Sequence, residues 1–119
     1  MRDETDDLRK RTKSFALRVI KLYDALPRGG SVHVLAHQLL RSGTSVGANF
    51  REAYRARSNA EFVSKVGDCL KEVEETTYWL ELLVESGAVN QDKLASLIDE
   101  ASQLTAILTS IAKNIRTRL

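Results

Sequence analysis

Residues 61–85 read EFVSKVGDCLKEVEETTYWLELLVE and decide the fold, because their apolar side chains recur at steps of three and four residues. No proline interrupts this stretch, and Ser58 followed by Glu61 is the pattern of a capping box at a helix start. The segment therefore predicts an amphipathic helix with a defined beginning. The residues predicted to share its core-facing side are Phe62, Val66, Leu70, Val73, Thr77, Leu80 and Val84.

Three further segments of the chain show the same helical periodicity. The first spans residues 8–26 and ends at Pro27, the second follows a predicted N-cap at Ser31, and the last begins after a predicted N-cap at Asn90. Short connections between long helices force neighbouring helices to run antiparallel. The sequence therefore predicts an all-α fold, an antiparallel up-down-up-down four-helix bundle, formed by a single domain over residues 1–119.

Composition narrows the class of protein. The 119 residues are 43% hydrophobic and 29% charged, as in an ordinary globular domain. A single cysteine, Cys69, cannot form an internal disulfide, which fits a reducing compartment. The chain lacks the run of about 20 apolar residues that a membrane helix needs, and its charged N-terminus is unlike a signal peptide. We therefore expect a cytoplasmic protein that makes no contact with a membrane.

Charge is segregated between the second and third predicted helices. Residues 41–57 carry four basic residues against one acidic residue, whereas residues 61–85 carry two against seven. The basic segment predicts an anion-binding stripe for nucleic-acid phosphates. A solvated face is a second interpretation, and ion pairing with the acidic helix across a subunit boundary is a third. The predicted nucleic-acid-binding residues are Arg41, Arg51, Arg55 and Arg57, and Lys113, Arg116 and Arg118 add charge near the C-terminus.

Small and polar residues make the second helix unusual. Gly43 and Gly47 each cost roughly 1 kcal/mol relative to alanine inside a helix, so we expect another backbone to come close there. Asn49 and Glu52 fall close to the apolar stripe. A buried carboxylate needs a partner, and Arg41, Arg55 or Arg57, from this chain or a neighbouring one, could serve. We predict a structural role for both residues.

The third helix carries apolar residues away from its predicted core face. Trp79, Leu82 and Leu83, together with Glu72 and Glu75, form a patch that one bundle core would not cover. Apolar surface with an aromatic anchor and a charged rim is typical of protein interfaces. We therefore predict that these residues form an interface between copies of the chain. The alternative is a wide helix that the fourth helix partly covers.

Catalytic and metal-binding signals are weak. His33 and His37 have the spacing of a helical metal pair, but no third ligand stands at a matching offset. Cys69 lies close to the predicted core face, where a cysteine behaves as a small hydrophobic residue. The chain also lacks a glycine-rich phosphate loop and the arrangement of a catalytic triad. We expect no cofactor, no metal and no enzymatic activity.

Residues 41–62, RSGTSVGANFREAYRARSNAEF, resemble the signature of the 23S rRNA intervening-sequence proteins. That signature begins R-S-x-x-S-[IV]-x-x-N, continues with E-[GA] and basic residues, and ends S-x-x-E-F. Many members have alanine and glycine where this chain has Arg51 and Ala53. The signature positions matched here are Arg41, Ser42, Ser45, Asn49, Glu52, Arg57, Glu61 and Phe62; among them we assign structural polar roles to Ser42, Ser45, Asn49, Glu52 and Glu61.

The resemblance has implications for assembly and partners. The family is similar to the accessory protein of diversity-generating retroelements, a basic pentameric bundle that binds nucleic acid and a reverse transcriptase. The resemblance therefore implies a ring-like homo-oligomer of five subunits that contacts RNA or an RNA-handling protein. We expect a non-enzymatic scaffold or adaptor. The alternative is a purely protein-binding assembly module without nucleic-acid contact.

Overall fold

The computed structural model describes the backbone of residues 2–118 and the side chains of residues 5–115. It is a bundle of four long helices that measures 47 × 20 × 19 Å. The prediction of an all-α four-helix fold is confirmed. The helices are α1 (Arg2–Ala25), α2 (Gly30–Tyr54), α3 (Asn59–Glu85) and α4 (Gln91–Arg118).

Contacts between side chains define how the helices run. Ion pairs join Arg41 to Glu75 and Glu52 to Lys65, so α2 and α3 are antiparallel. Helices α1 and α4 are also antiparallel, because Arg11 pairs with Glu100 whereas Arg18, further along α1, donates to Ser96. Each helix packs against two others, and within the described residues α1 does not contact α3. The contact between α1 and α4 is the least extensive of the four.

Apolar side chains from all four helices fill one continuous core. On α3 the buried set differs from the predicted one, because Phe62, Leu70, Thr77 and Val84 are only partly buried. The buried side is rotated toward α2, the helix with which α3 makes its most extensive contact. The residues that α3 buries are Val66, Cys69, Val73, Thr76, Leu80 and Leu83.

Two of the three predicted helix starts agree with the structure. The Ser58 side chain accepts from the Glu61 backbone N–H at 3.1 Å, and the Asn90 side chain accepts from the Asp92 backbone N–H at 3.0 Å. The prediction of Ser31 as N-cap is wrong. Gly29 occupies that position and α2 already begins at Gly30, so Ser31 lies inside the helix.

The crossing of α1 and α2 explains the two glycines inside α2. A Cβ atom at Gly47 would lie 3.2 Å from the backbone carbonyl oxygen of Thr12, so the predicted approach of another backbone is observed there. At Gly43 the neighbour is instead a side chain, since a Cβ atom would lie 2.8 Å from both Cγ atoms of Val19. Val19 is fully buried and has little room to move.

We expect Gly43→Ala to be less stable than Gly67→Ala by about 1–3 kcal/mol, the usual cost of overpacking a core. Both variants gain the roughly 1 kcal/mol of helix propensity that alanine has over glycine, but a Cβ atom at Gly67 meets open space. Urea unfolding at one protein concentration measures the difference. Equal unfolding free energies would contradict the tight crossing.

Candidate functional site

A line of polar contacts joins α2 to α3 along one side of the bundle. The Arg41 guanidinium pairs with Glu75 and lies 3.5 Å from the Glu72 carboxylate. One turn of α3 beyond Glu72, the Thr76 hydroxyl donates to the Ser42 hydroxyl at 2.9 Å, and both side chains are fully buried. These contacts tie the two helices at a fixed register. We call this line the polar seam.

The prediction that Glu52 is a buried carboxylate paired with an arginine is wrong. Glu52 is exposed, and its carboxylate pairs with Lys65 of α3 at 2.7 Å. The cause is that the buried positions of α2 include Val46, Phe50 and Ala53, which turn Glu52 toward the flank of α3. The half-buried Asn49 lies on the same flank.

Aromatic side chains occupy the surface next to the polar seam. The Trp79 indole N–H donates to Glu75 at 3.3 Å, and its ring is half-buried against the core. Tyr78 meets Trp79 edge-to-face and is 53% exposed. Sequence reasoning missed Tyr78, although an aromatic residue on the polar side of an amphipathic helix was the available signal.

The apolar part of the predicted interface patch gains two members and loses one, while Glu72 and Glu75 belong to the polar seam. Leu83 is completely buried inside the protomer, so its assignment to an exposed patch is wrong. Leu82 is partly exposed, as expected. Val34, 60% exposed, lies two turns before Arg41 on α2 and therefore reaches the same end of this surface, because α2 and α3 are antiparallel. Val34, Tyr78, Trp79 and Leu82 form what we call the aromatic patch.

The remaining arginines of α2 are in a different environment from Arg41. Arg51, Arg55 and Arg57 are exposed, and none of their guanidinium groups has an ion-pair or hydrogen-bond partner among residues 5–115. Arg41, by contrast, is already neutralised by acidic residues of its own chain. We call the first three the basic surface. The charge they carry is available to a ligand.

A shallow cleft between α1 and α2 extends the basic surface. Arg51 lines it together with Arg9 and Lys13, and its volume is about 150 Å³. Its other lining residues are small or short, so a chain of phosphates could approach the helix backbones closely. These residues are Thr12, Ala16, Thr44, Gly47 and Ala48.

A larger open pocket of about 650 Å³ lies at the adjacent end of the bundle. Arg57 lines it with two aromatic side chains, Tyr54 and Phe62. The Arg9 guanidinium sits 4.7 Å from the centre of the Tyr54 ring. Tertiary packing thus places Phe62 of α3 in the same pocket as Tyr54 of α2, which the sequence of α2 does not reveal.

The match to known proteins covers most of the chain. The family model described as 23S rRNA-intervening sequence protein matches residues 4–110. The chain belongs to this family. A solved structure from Bacteroides thetaiotaomicron, described as a protein of unknown function from the S23 ribosomal protein family, is 37% identical. It covers 92% of this chain and 98% of its own, with a TM-score of 0.86. No curated protein matches.

Three signature positions of the 23S rRNA-intervening sequence family make contacts between α2 and α3. Arg41, Ser42 and Glu52 contact side chains of α3, and the Ser45 hydroxyl donates to the Arg41 carbonyl at 2.7 Å. Glu61 contributes its backbone N–H to the start of α3. In this member the signature therefore describes, in part, how two helices fit together and, in part, local hydrogen bonds of α2 and of the start of α3.

Cys69 is unsuited to surface chemistry. It is fully buried, and burial, together with the negative charge of Asp68, raises the pKa of its thiol to about 12. A thiol with such a pKa stays protonated at neutral pH, whereas nucleophilic attack requires the thiolate. Cys69 packs in the core, as the sequence predicted.

The two histidines of α2 and Tyr23 of α1 form a row of edge-to-face ring contacts. The rings of His33 and His37 meet edge-to-face at 5.2 Å, and Tyr23 approaches His37 at 5.9 Å. Within residues 5–115, no group of three or more His, Cys, Asp and Glu side chains is placed to hold a metal ion.

Two further observations concern membrane-spanning helices and the basic residues near the C-terminus. No helix in the described part of the chain combines the length and apolarity that crossing a membrane requires. Lys113 is exposed, and the side chains of Arg116 and Arg118 lie outside the described residues.

Proposed function

We propose that this chain is a non-enzymatic, homo-oligomeric scaffold of the cytoplasm that binds RNA, or an RNA-handling protein, through the basic surface. Five subunits is the number that the family resemblance implies. The observation that carries the RNA proposal is the set of three exposed arginines without partners, Arg51, Arg55 and Arg57. Unpaired guanidinium groups beside a cleft with small lining residues suit a phosphate backbone.

The aromatic patch supports assembly. Val34 is 60% exposed and Tyr78 is 53% exposed, beside the half-buried Trp79. Exposed aromatic and aliphatic side chains that lie together, with charged residues around them, are typical of surfaces that bind another protein. A second copy of the chain is the partner we propose.

A purely protein-binding module is the second candidate, and the Arg41 ion pairs favour it. They show that arginine of α2 and glutamate of α3 can satisfy each other, since Glu72 and Glu75 neutralise Arg41 within the chain. If Arg51 and Arg55 did the same between subunits, they would be unavailable to RNA. Charge reversal at either residue would then break the oligomer.

We expect the wild-type protein to bind structured RNA with an affinity that falls steeply as salt is added, because phosphate contacts release counterions. Arg51→Gln and Arg55→Gln should each reduce the slope of log affinity against log salt by about one. Fluorescence anisotropy over a salt series measures both quantities. Light scattering on the same samples reports whether the variants stay assembled.

Arg28→Gln is the matched control, because Arg28 is an exposed arginine that follows α1 at the opposite end of the bundle. It removes the same charge and should leave the salt slope unchanged. Salt-insensitive binding, or no binding at low salt, would reject the RNA proposal. Loss of assembly in Arg51→Glu or Arg55→Glu would favour the protein-binding module instead.

A further inference from the structure

The Tyr54 ring lies between the shallow cleft and the open pocket. Tyr54 lines the pocket, whereas Arg9 lines the cleft. The Arg9 guanidinium lies over the Tyr54 ring, 4.7 Å from its centre, so it covers one face of the ring from the side of the cleft. The pocket meets another part of the same ring, which is 39% exposed. The two depressions are therefore neighbours on one surface.

The pocket combines an aromatic wall with a positive charge. Tyr54 of α2 and the partly buried Phe62 of α3 form the wall. Arg57, in the connection between these two helices, contributes a guanidinium group without a described partner. Within the described part of the chain, the residues that line the pocket include no acidic one. Its volume of about 650 Å³ is in the range of sites that enclose a small molecule.

The cleft adds a row of cations that leads toward the pocket. Arg9, Lys13 and Arg51 line it, and among the described residues no acidic side chain does. Arg9 also pairs with the exposed Asp6 at 3.0 Å. Lys13 and Arg51 have no ion-pair partner within residues 5–115. Most of the positive charge of the cleft is therefore left for an anionic ligand.

A single RNA strand has the chemistry that both depressions require. Its phosphates suit the cations of the cleft, and each of its bases has a flat face that stacks on aromatic side chains. In a duplex the bases are paired and stacked inside, so a base reaches a pocket only when it leaves its partner. A duplex would therefore use the cleft and leave the aromatic wall unoccupied.

We propose that the cleft and the pocket form one site for single-stranded RNA, in which phosphates follow the cleft and one unpaired base enters the pocket against Tyr54 and Phe62. The inference rests on the RNA binding proposed above and adds which form of RNA the protein selects. Arg57 balances the charge of the nucleotide in the pocket. The Asn59 side chain also lines the pocket, and its amide can both donate to and accept from the edge of a base.

Tyr54→Leu tests the stacking contact. It keeps an apolar side chain but removes the ring, so affinity for single-stranded RNA should fall roughly tenfold, the usual effect of losing one base–aromatic stack. Affinity for the duplex of the same strand with its complement should not change. The probe is a labelled, unstructured RNA of about twelve nucleotides, a length within the range of single-strand binding sites. Fluorescence anisotropy at one salt concentration measures both affinities.

Two further variants separate stacking from a general loss of structure. Tyr54→Phe keeps the ring and should bind single-stranded RNA like the wild type. Tyr23→Leu makes the same change as Tyr54→Leu at the opposite end of the bundle, where Tyr23 meets His37, and should also bind normally. If Tyr54→Leu binds the single strand as tightly as the wild type, or loses affinity for strand and duplex equally, the base pocket is overturned.

Tyr54→Trp provides a direct signal from the pocket. A base stacked on the new indole should quench its fluorescence when RNA is added. The natural Trp79 lies about 25 Å further along α3 than Phe62, so the wild type should show no such quenching. Free AMP should quench only weakly, because it lacks the phosphates that the cleft binds. Equal quenching by AMP and RNA at the same concentration would contradict a site for a strand.

Failure of the pocket and failure of the proposed function give different results. If Arg51→Gln lowers the salt slope while Tyr54→Leu changes nothing, RNA binds the basic surface without placing a base in the pocket, and only the inference drawn here is wrong. If the wild-type protein binds neither strand nor duplex at low salt, the proposed RNA binding is rejected, and the pocket proposal with it.

Discussion

Leu83→Ala is expected to lower the free energy of unfolding by about 2–5 kcal/mol, the usual cost of truncating a buried leucine. Leu83 is fully buried at the point where α3 packs against its neighbours, so its loss leaves a cavity. The adjacent Leu82 is partly exposed in the aromatic patch. Leu82→Ala should cost less stability but weaken assembly.

Urea unfolding and sedimentation together separate these effects. Both variants need the same protein concentration, because an oligomer that binds only folded chains raises apparent stability. Ala95→Glu, a change at an exposed residue of α4, serves as a substitution outside the patch. If Leu83→Ala unfolded like the wild type while changing only the assembled mass, the placement of Leu83 in the core would be wrong.

Arg11→Met should destabilise the fold by about 1.5–3 kcal/mol, the usual worth of hydrogen bonds to a charged group. The Arg11 guanidinium donates two hydrogen bonds to Glu100, at 2.7 and 3.1 Å, and these join α1 to α4. The Glu100 side chain is only 18% exposed, so removal of Arg11 leaves a mostly buried carboxylate without this partner. Backbone contact between these helices is sparse, which makes the pair important.

A double-mutant cycle with Glu100→Met checks this explanation. Replacing both partners by apolar side chains should recover much of the lost stability, since no unpaired charge is then left. Asp6→Asn is the control, because it removes the exposed pairs with Arg9 and Lys10 and should change little. A double variant whose losses simply add would show that Arg11 and Glu100 are not coupled.

The case of Leu83 shows what limits a sequence-based prediction. Two overlapping sets of residues on α3 have the three-and-four spacing of a buried face, and both include Val66, Val73 and Leu80. One continues through Leu70 and Thr77, the other through Cys69 and Thr76. Periodicity alone does not distinguish them, because the choice depends on how neighbouring helices are placed around α3.

The arginines of α2 show the same limit at the candidate site. Arg41 and Arg55 are two full heptads apart and have the same helical phase. Yet Arg41 meets Glu72 and Glu75, whereas Arg55 meets no described partner. Glu52 likewise pairs with Lys65, not with an arginine. The sequence revealed the charged residues, and the facing helix decided which of them are neutralised.

The sequence by itself determined that four amphipathic helices form and that short connections make neighbours antiparallel. Ser58 and Asn90 set two of the helix starts through local hydrogen bonds, which a short segment can make alone. Only the tertiary structure decided that Leu83 is buried and that Tyr78 is exposed. The physical reason is that helix formation and capping depend on residues close in the chain, whereas burial and ion pairing depend on side chains that distant helices bring together.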